Sequence, residues 1–110
     1  MKFEQVRSEA MSLPEVTQAP HFDFASFRVG GKIFMTVPPD AQHVHLFVAE
    51  QDRALALVLH PQFAEKLMWG KRVVGLRIAL DKADPEIVRQ LVHNAWASKA
   101  PKRLVAAGTP

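Results

Sequence analysis

The stretch FRVGGKIFMTV, residues 27–37, contains the residue types from which phosphate-binding loops are built. Glycines let backbone N–H groups approach a phosphate, and a lysine such as Lys32 neutralises its charge. Dinucleotide loops, however, need G-x-G-x-x-G before a helix, and the Walker loop needs G-x-x-x-x-G-K followed by Ser or Thr. Here a β-branched and aromatic run typical of a strand follows the lysine. The pattern therefore predicts a two-residue hairpin turn at Gly30-Gly31, where glycine supplies positive φ.

A second candidate for chemistry is the pair His43 and His45, which one residue separates. On a strand their side chains share a face, with Cα atoms about 7 Å apart, so both imidazoles could ligate one metal ion. A third ligand would have to come from His21, His60 or Asp40. Because nothing in the sequence brings these residues together, neither a metal nor a cofactor is predicted, and a metal-binding protein stays an open alternative.

Catalytic chemistry has little support in the residue types. The chain has no cysteine, which excludes thiolate nucleophiles, disulfides and Cys-based metal sites and fits a reducing cytoplasm as the expected location. No serine lies in a G-x-S-x-G motif, and the acidic residues lie mainly at helix starts, where they stabilise the helix dipole. We therefore expect a binding protein and not an enzyme.

The length of 110 residues, with 48% hydrophobic and 23% charged residues, is typical of one globular domain. The apolar run ALALVL is far shorter than the ~20 residues of a membrane span, so no membrane partner is expected. The N-terminal MKFEQVRSEAM lacks the apolar core of a targeting signal, so the mature chain is expected to begin at Met1. The net charge of +3 permits a nucleic acid partner without requiring one.

Helix and strand patterns occupy the N-terminal half in turn. Apolar residues recur every three or four positions up to Pro14, which predicts a helix at about residues 2–12. Residues 15–24 lack a helical period and contain a proline, which predicts a linker entering an edge strand near Phe22. Strands are predicted on both sides of the Gly30-Gly31 turn and at residues 43–49. A tight turn would pair Val29 with Lys32, Arg28 with Ile33 and Phe27 with Phe34.

The C-terminal half predicts a helix, a hairpin and a helix. A helix is predicted at residues 50–59, with Ala54, Leu55 and Val58 as its apolar side. KLMWG and VVGLRIAL predict strands joined by the turn at residues 70–72. Asp84-Pro85-Glu86 is a strong helix start, and six apolar residues then repeat at helical spacing: Ile87, Val88, Leu91, Val92, Ala95 and Trp96.

These elements predict a two-layer α+β domain in which helices cover one face of an antiparallel sheet, in the order αβββαββα. The domain is expected to span residues 1–98. Residues 99–110 are basic, interrupted by proline and rich in small residues, which predicts a partly ordered tail. Five phenylalanines could line a pocket, but aromatic residues at strand spacing are usually part of the core, which is where we expect them: Phe22, Phe24, Phe27, Phe34 and Phe47.

Basic residues concentrate at the predicted hairpin turns. Arg28 and Lys32 flank the first turn, and Lys71 and Arg72 lie in the second, so two basic wings could contact phosphates. Arg77 is predicted on the sheet face that the helices leave open, and a basic, partly aromatic face of this kind could bind single strands or an acidic partner. Lys102 and Arg103 add positive charge to the tail. The alternative is that these side chains only provide solubility and prevent edge pairing.

Several segments together resemble the MmcQ/YjbR family of small bacterial proteins. They are SLPEV at the end of the first helix, the FRVGGKIF hairpin, the VGLRIAL strand, the DPEIVRQLVHNAW helix and the trailing APKRL. The resemblance spans nearly the whole chain and implies a CyaY-like or secretion-chaperone-like α+β fold with a double-wing DNA-binding motif. Many relatives have a tryptophan near the start of the last strand, where this chain has Val73 and Val74, and Trp69 is the nearest replacement.

The sequence therefore predicts a DNA-binding module that uses two basic hairpin wings. The alternatives are a protein-interaction or chaperone-like module that uses the open sheet face, and a protein that binds a small ligand or a metal. DNA and another protein are accordingly the two expected partners.

Overall fold

The computed structural model describes residues 1–108, with side chains through residue 106. Ten elements follow one another along the chain: α1 (Phe3–Met11), β1 (Thr17–His21), β2 (Phe24–Val29), β3 (Lys32–Val37), β4 (His43–Leu46), α2 (Glu50–Leu59), β5 (Ala64–Trp69), β6 (Arg72–Ala79), α3 (Pro85–Lys99) and α4 (Lys102–Gly108). The strands form one six-stranded antiparallel sheet in the order β1-β2-β3-β4-β6-β5. The predicted α+β class with an antiparallel sheet is confirmed.

Both predicted hairpins lie at the same end of this sheet. Every neighbouring pair of strands is antiparallel, so β2 and β5 run in the same direction. The turns Gly30-Gly31 and Gly70-Lys71 therefore lie side by side, at what we call the wing end. The opposite end, called the loop end, is formed by the connections at residues 22–23, 38–42 and 80–84.

Two elements differ from the sequence-based expectation. Residues Thr17–His21 form strand β1, where a linker was predicted, and they pair with β2 alone. Pro20 is tolerated because β1 is an edge strand. No strand lies on the outer side of β1, so the N–H that proline lacks is not needed there for a hydrogen bond between strands. The expected tail contains helix α4, whose Leu104 is buried against the core.

The register of the first hairpin was predicted correctly at its turn and wrongly beyond it. Gly30 and Gly31 both have positive φ, at 57° and 78°, as a primed hairpin turn requires. Val29 pairs with Lys32, but Phe27 pairs with Met35 and not with Phe34, since a β-bulge shifts the register. The bulge inserts one extra residue into β3, and both Phe34 and Met35 are fully buried.

Helix α3 carries much of the core on one face of the sheet. Asp84 caps it as predicted, with its Oδ1 accepting a hydrogen bond of 2.9 Å from the backbone N–H of Glu86. Five residues of its predicted apolar stripe are buried, and α3 packs against α1, β3 and β4. Trp96 is fully buried, and its Nε1 donates to the carbonyl of Pro14 at 3.1 Å.

The apolar side predicted for α2 is wrong. Ala54, Leu55 and Val58 are exposed, whereas Ala56 is the buried residue of this helix. Residues 54–59 are all apolar, so their pattern fits more than one helix face and cannot select the buried one. The helix packs beside β5 at the sheet edge, where few positions can be covered.

Candidate functional site

A row of polar residues crosses the face of the sheet opposite the main helix-packed core. Ser26, Thr36, His45, Arg77 and Glu65 are direct cross-strand neighbours, on β2, β3, β4, β6 and β5 in turn. Direct neighbours in antiparallel strands point to the same face, so these five side chains share one line. The row is the centre of what we call the open face.

Arg77 connects the middle of this row. Its Nη1 donates to Nε2 of His45 at 2.9 Å, and its Nε lies 3.3 Å from Oε1 of Glu65. Because arginine only donates, Nε2 of His45 accepts, and the imidazole proton resides on Nδ1. Burial, together with the positive charge of Arg77, lowers the pKa of His45 to about 4. His45 is therefore uncharged at neutral pH, and Arg77 shares its charge with Glu65.

A groove of about 590 Å³ lies over the part of the open face that includes Thr36 and His45. Its lining combines aromatic and aliphatic side chains with polar groups from β3 and β4, and includes one residue of the β1–β2 turn and one that follows β4: His21, Phe22, Phe24, Thr36, His45, Phe47, Leu67, Met68, Trp69 and Val74. Phe22 and Trp69 are 93% and 80% exposed, and Met68 is 48% exposed. The groove is therefore apolar at its sides and partly polar at its floor.

Two backbone features shape this groove. Gly75 leaves room for the end of β4 and the residue after it, because a Cβ at this position would lie 2.5 Å from the carbonyl oxygen of Leu46 and 3.3 Å from Cδ1 of Phe47. Phe22 has a φ of 57° in the two-residue turn between β1 and β2. This left-handed conformation is strained for a bulky aromatic residue, and it holds the Phe22 ring out from the sheet.

The wing end carries basic side chains on both hairpins. Lys32, Lys71 and Arg72 are exposed, and none of them forms an ion pair within the part of the chain that the structure describes. Arg28 is half-buried, and its Nε donates to the hydroxyl of Ser26 at 3.3 Å. Lys102 begins α4 beside the first hairpin, where Pro101 would lie 3.3 Å from a Cβ built on Gly30. Five of the predicted basic residues thus lie at or beside one end of the sheet.

The two remaining predicted cations are engaged elsewhere. Arg77 lies in the middle of the open face, bound to His45 and Glu65. Arg103 forms an ion pair of 3.1 Å with Glu15. Both guanidinium groups already have a carboxylate partner, so they add less free positive charge than their residue type suggests.

The pair of histidines that suggested a metal site is satisfied in other ways. Nδ1 of His43 lies 3.2 Å from Oδ2 of Asp40, and Nε2 of His45 accepts from Arg77. A backbone hydrogen bond from Gln42 and the neighbouring His43 hold the pKa of Asp40 below its ordinary value. Within residues 1–108, no three His, Cys, Asp or Glu side chains come together as a metal-binding group.

The sequence favoured the core for all five phenylalanines and kept a pocket only as the lesser alternative. Phe27 and Phe34 are buried as expected, but Phe22, Phe24 and Phe47 line the groove. Alternation along a strand separates the two faces of a sheet without showing which face is covered. The position of Phe22 beside Asp23, a turn-forming residue, was the available indication that its ring would project from a turn.

Comparisons with known proteins agree with this fold. The YjbR family model matches residues 11–98. The crystal structure of the Deinococcus radiodurans protein DR2400, which has the domain DUF419, is similar with a TM-score of 0.78 at 17% sequence identity, covering 97% of this chain and 84% of that one. A search of curated proteins found no match. No helix within residues 1–108 has the length and apolar character of a membrane span. Since the family model covers most of the sequence, the chain belongs to the YjbR family.

Proposed function

We propose that this protein is a non-enzymatic DNA-binding module whose two hairpins contact backbone phosphates. The observation that carries the proposal is the grouping of Lys32, Lys71 and Arg72, all without ion-pair partners among the described residues, on two adjacent turns. An unpaired cation gains more from a phosphate than a paired one, because no carboxylate competes for it. Phosphate contacts also release counterions from DNA, which drives association at low salt.

The spacing of the wings suits a duplex. The first wing lies between β2 and β3 and the second between β6 and β5, so the centres of the two hairpins are separated by three strand positions. At about 4.8 Å per strand, this separation is roughly 14 Å, which is close to the ~12 Å width of the major groove. Strand β4 lies between the hairpins and already ends at Leu46. The wings therefore have the separation needed to contact phosphates on both sides of one groove.

The charges at the two ends of the sheet favour one orientation of the protein toward DNA, with the wing end facing the phosphates. The loop end carries four carboxylates, those of Asp23, Asp40, Asp81 and Asp84. Near the wing end, the acidic residues are Glu50 and Asp52 in the first turn of α2, and Glu15, whose charge is neutralised by Arg103. An uneven charge distribution of this kind steers a polyanion toward the positive end.

A salt titration of binding to a short DNA duplex tests the proposal. With four to five phosphate contacts, log affinity falls with log salt at a slope of about −4. Lys71→Ala with Arg72→Ala weakens binding and makes the slope shallower by nearly 2. The control is Lys2→Ala with Lys82→Ala, which removes the same charge at and beside the loop end, where the Met1 amino group donates to the carbonyl of Leu80. It leaves the slope within about 0.5 of the wild type. Equal effects of both pairs, or no binding at low salt, would contradict the proposal.

The alternative of a protein-interaction module predicts a different result. A partner bound through apolar side chains of the open face gives a shallow salt dependence, because few ions are released. Its affinity would not respond to Lys71→Ala with Arg72→Ala. The same titration therefore distinguishes the two functions.

A further inference from the structure

We infer that the groove of the open face binds unstacked bases of a single-stranded nucleic acid while the strand's phosphates contact the wing end. This inference rests on the proposed function and deepens it, since it names the strand state that the site prefers. Duplex DNA would contact the wings alone.

The exposed aromatic rings carry the first part of the argument. Phe22 is 93% exposed and Trp69 is 80% exposed, and they flank the groove from the β1 side and the β5 side of the sheet. Neither ring contributes much to the core, whereas buried Trp96 does. Aromatic side chains on an open sheet provide stacking surfaces for bases that are not paired. Bases in a duplex are already stacked and cannot lie on these rings.

The backbone of Phe22 provides an independent argument. Its φ of 57° is unfavourable for a side chain with a Cβ, and Gly or Asn would occupy this turn position with less strain. The fold gains no burial from the ring in return. Strained positions of this kind are concentrated at ligand-binding sites, where the conformation presents a side chain to the ligand.

On its β5 side, the groove also adjoins Lys71 and Arg72, the cations of the second wing. Trp69 pairs directly with Arg72 across the second hairpin, and Lys71 lies in the turn between them. A base that stacks on Trp69 therefore places its own phosphate beside two cations that have no carboxylate partner among the described residues. This complementarity favours a polyanion over an apolar or basic peptide as the occupant.

The floor of the groove offers hydrogen bonds without a net charge of its own. Thr36 and His45 lie there, and His45 is held neutral beside Arg77. Neutral donors and acceptors suit the edges of bases, whereas the cations that suit phosphates lie at the wing end. The volume of about 590 Å³ is in the range of sites that hold small organic groups.

The test compares oligonucleotides of equal phosphate number: a dT strand, an rU strand and a DNA duplex, each at one low salt concentration. Phe22→Asn and Trp69→Ala each lower affinity for the single strands at least fivefold, which is the lower part of the range for loss of one stacked base. Duplex affinity changes by less than about twofold, because the wings are intact. Val58→Ala, at an exposed apolar residue of α2, is the control and changes neither affinity. Phe22→Asn removes backbone strain, so we expect the thermal stability of this variant to equal or exceed that of the wild type. Such a result excludes unfolding as the cause of its lower affinity.

The inference is supported if either single strand binds and if Phe22→Asn and Trp69→Ala weaken that binding without changing duplex affinity. The ratio of dT to rU affinity shows whether the sugar is also recognised. Duplex binding with single-strand affinities unchanged by both substitutions overturns the inference and leaves the proposed function intact. Absence of all binding at low salt removes both. A fourth outcome is that the protein binds no oligonucleotide but binds an unstructured aromatic peptide, independently of salt, and that Trp69→Ala abolishes this peptide binding. That outcome would assign the groove to a protein partner and overturn the inference.

Discussion

The two faces of the sheet are built from the same strands but differ in what covers them. On the covered face, Val44, Leu46, Leu76 and Ile78 are completely buried, and α3 packs there with its Trp96. On the open face, the corresponding alternate positions hold the polar row that includes His45 and Arg77, flanked by exposed aromatic side chains. The covered face therefore provides the stability of the fold, whereas the open face keeps apolar side chains in water.

This difference indicates where function is to be sought. An exposed Phe or Trp gains little stability from burial, since most of its surface stays hydrated. Single exposed apolar side chains are common on protein surfaces, but Phe22, Met68 and Trp69 line one groove. Their grouping in one groove, with Trp69 next to Arg72 of the second wing, sets the open face apart from the exposed apolar residues of α2.

The two tryptophans provide the largest test of this comparison. Trp96→Ala removes a fully buried ring and the hydrogen bond to Pro14, and it lowers the free energy of unfolding by about 3–5 kcal/mol. Trp69→Ala changes that free energy by no more than about 0.5 kcal/mol, because its ring is in solvent. Urea denaturation of both variants measures the difference. Similar losses for the two would show that the open face also stabilises the fold.

Gly75 tests how closely the open face is packed between its strands. Gly75→Ala brings a Cβ against the carbonyl oxygen of Leu46, a backbone atom that cannot move alone, and costs about 2–3 kcal/mol. Gly31→Ala is the control, since it has open space around it and costs about 1–2 kcal/mol from its positive φ alone. Denaturation midpoints compare them. A cost at Gly75 below that at Gly31 would mean that β4 and β6 lie further apart than described.

The pH dependence of stability tests the His45–Arg77 contact. The pKa of His45 is about 4 in the folded protein and about 6.5 when unfolded, so the folded state binds fewer protons between these values. Stability therefore falls as the pH is lowered from 6.5 to 4, by about 1–2 kcal/mol after allowance for solvent screening.

His45→Gln keeps an acceptor for Arg77 but cannot be protonated, so this variant lacks that part of the pH dependence. Unfolding free energies of both proteins at pH 7 and pH 4.5 give the contribution as a difference, which cancels the titration of the carboxylates. Identical pH profiles would show that His45 is not held neutral by its surroundings.

Local chemistry explains how much of the fold could be predicted. The Gly30-Gly31 turn and the Asp84 cap depend on residues next to one another in the chain, and both were predicted correctly. The bulge in β3 depends on how Phe34 and Met35 pack beneath helices that are distant in sequence. Helix α4 was missed for the same reason, because its order depends on the burial of Leu104.

The candidate site divides in the same way. Lys32, Lys71 and Arg72 could be named from their position at predicted turns, since a hairpin turn is exposed wherever it lies. That Arg103 is paired with Glu15 could not be predicted, because the two residues are far apart in the chain. The groove could not be located from the sequence, because it forms only when the strand order brings β1 and β5 to opposite edges of one sheet.

The most direct test of the central claim is an NMR titration of the labelled protein with a short dT strand, following backbone amides and the two indole N–H signals. We expect shifts at Gly30, Gly31, Gly70 and Lys71 and at the indole of Trp69, with the buried indole of Trp96 unchanged. Shifts confined to the loop end or to α2, with Trp69 and both wing turns unaffected, would contradict the assignment of nucleic acid binding to the wing end and the open face.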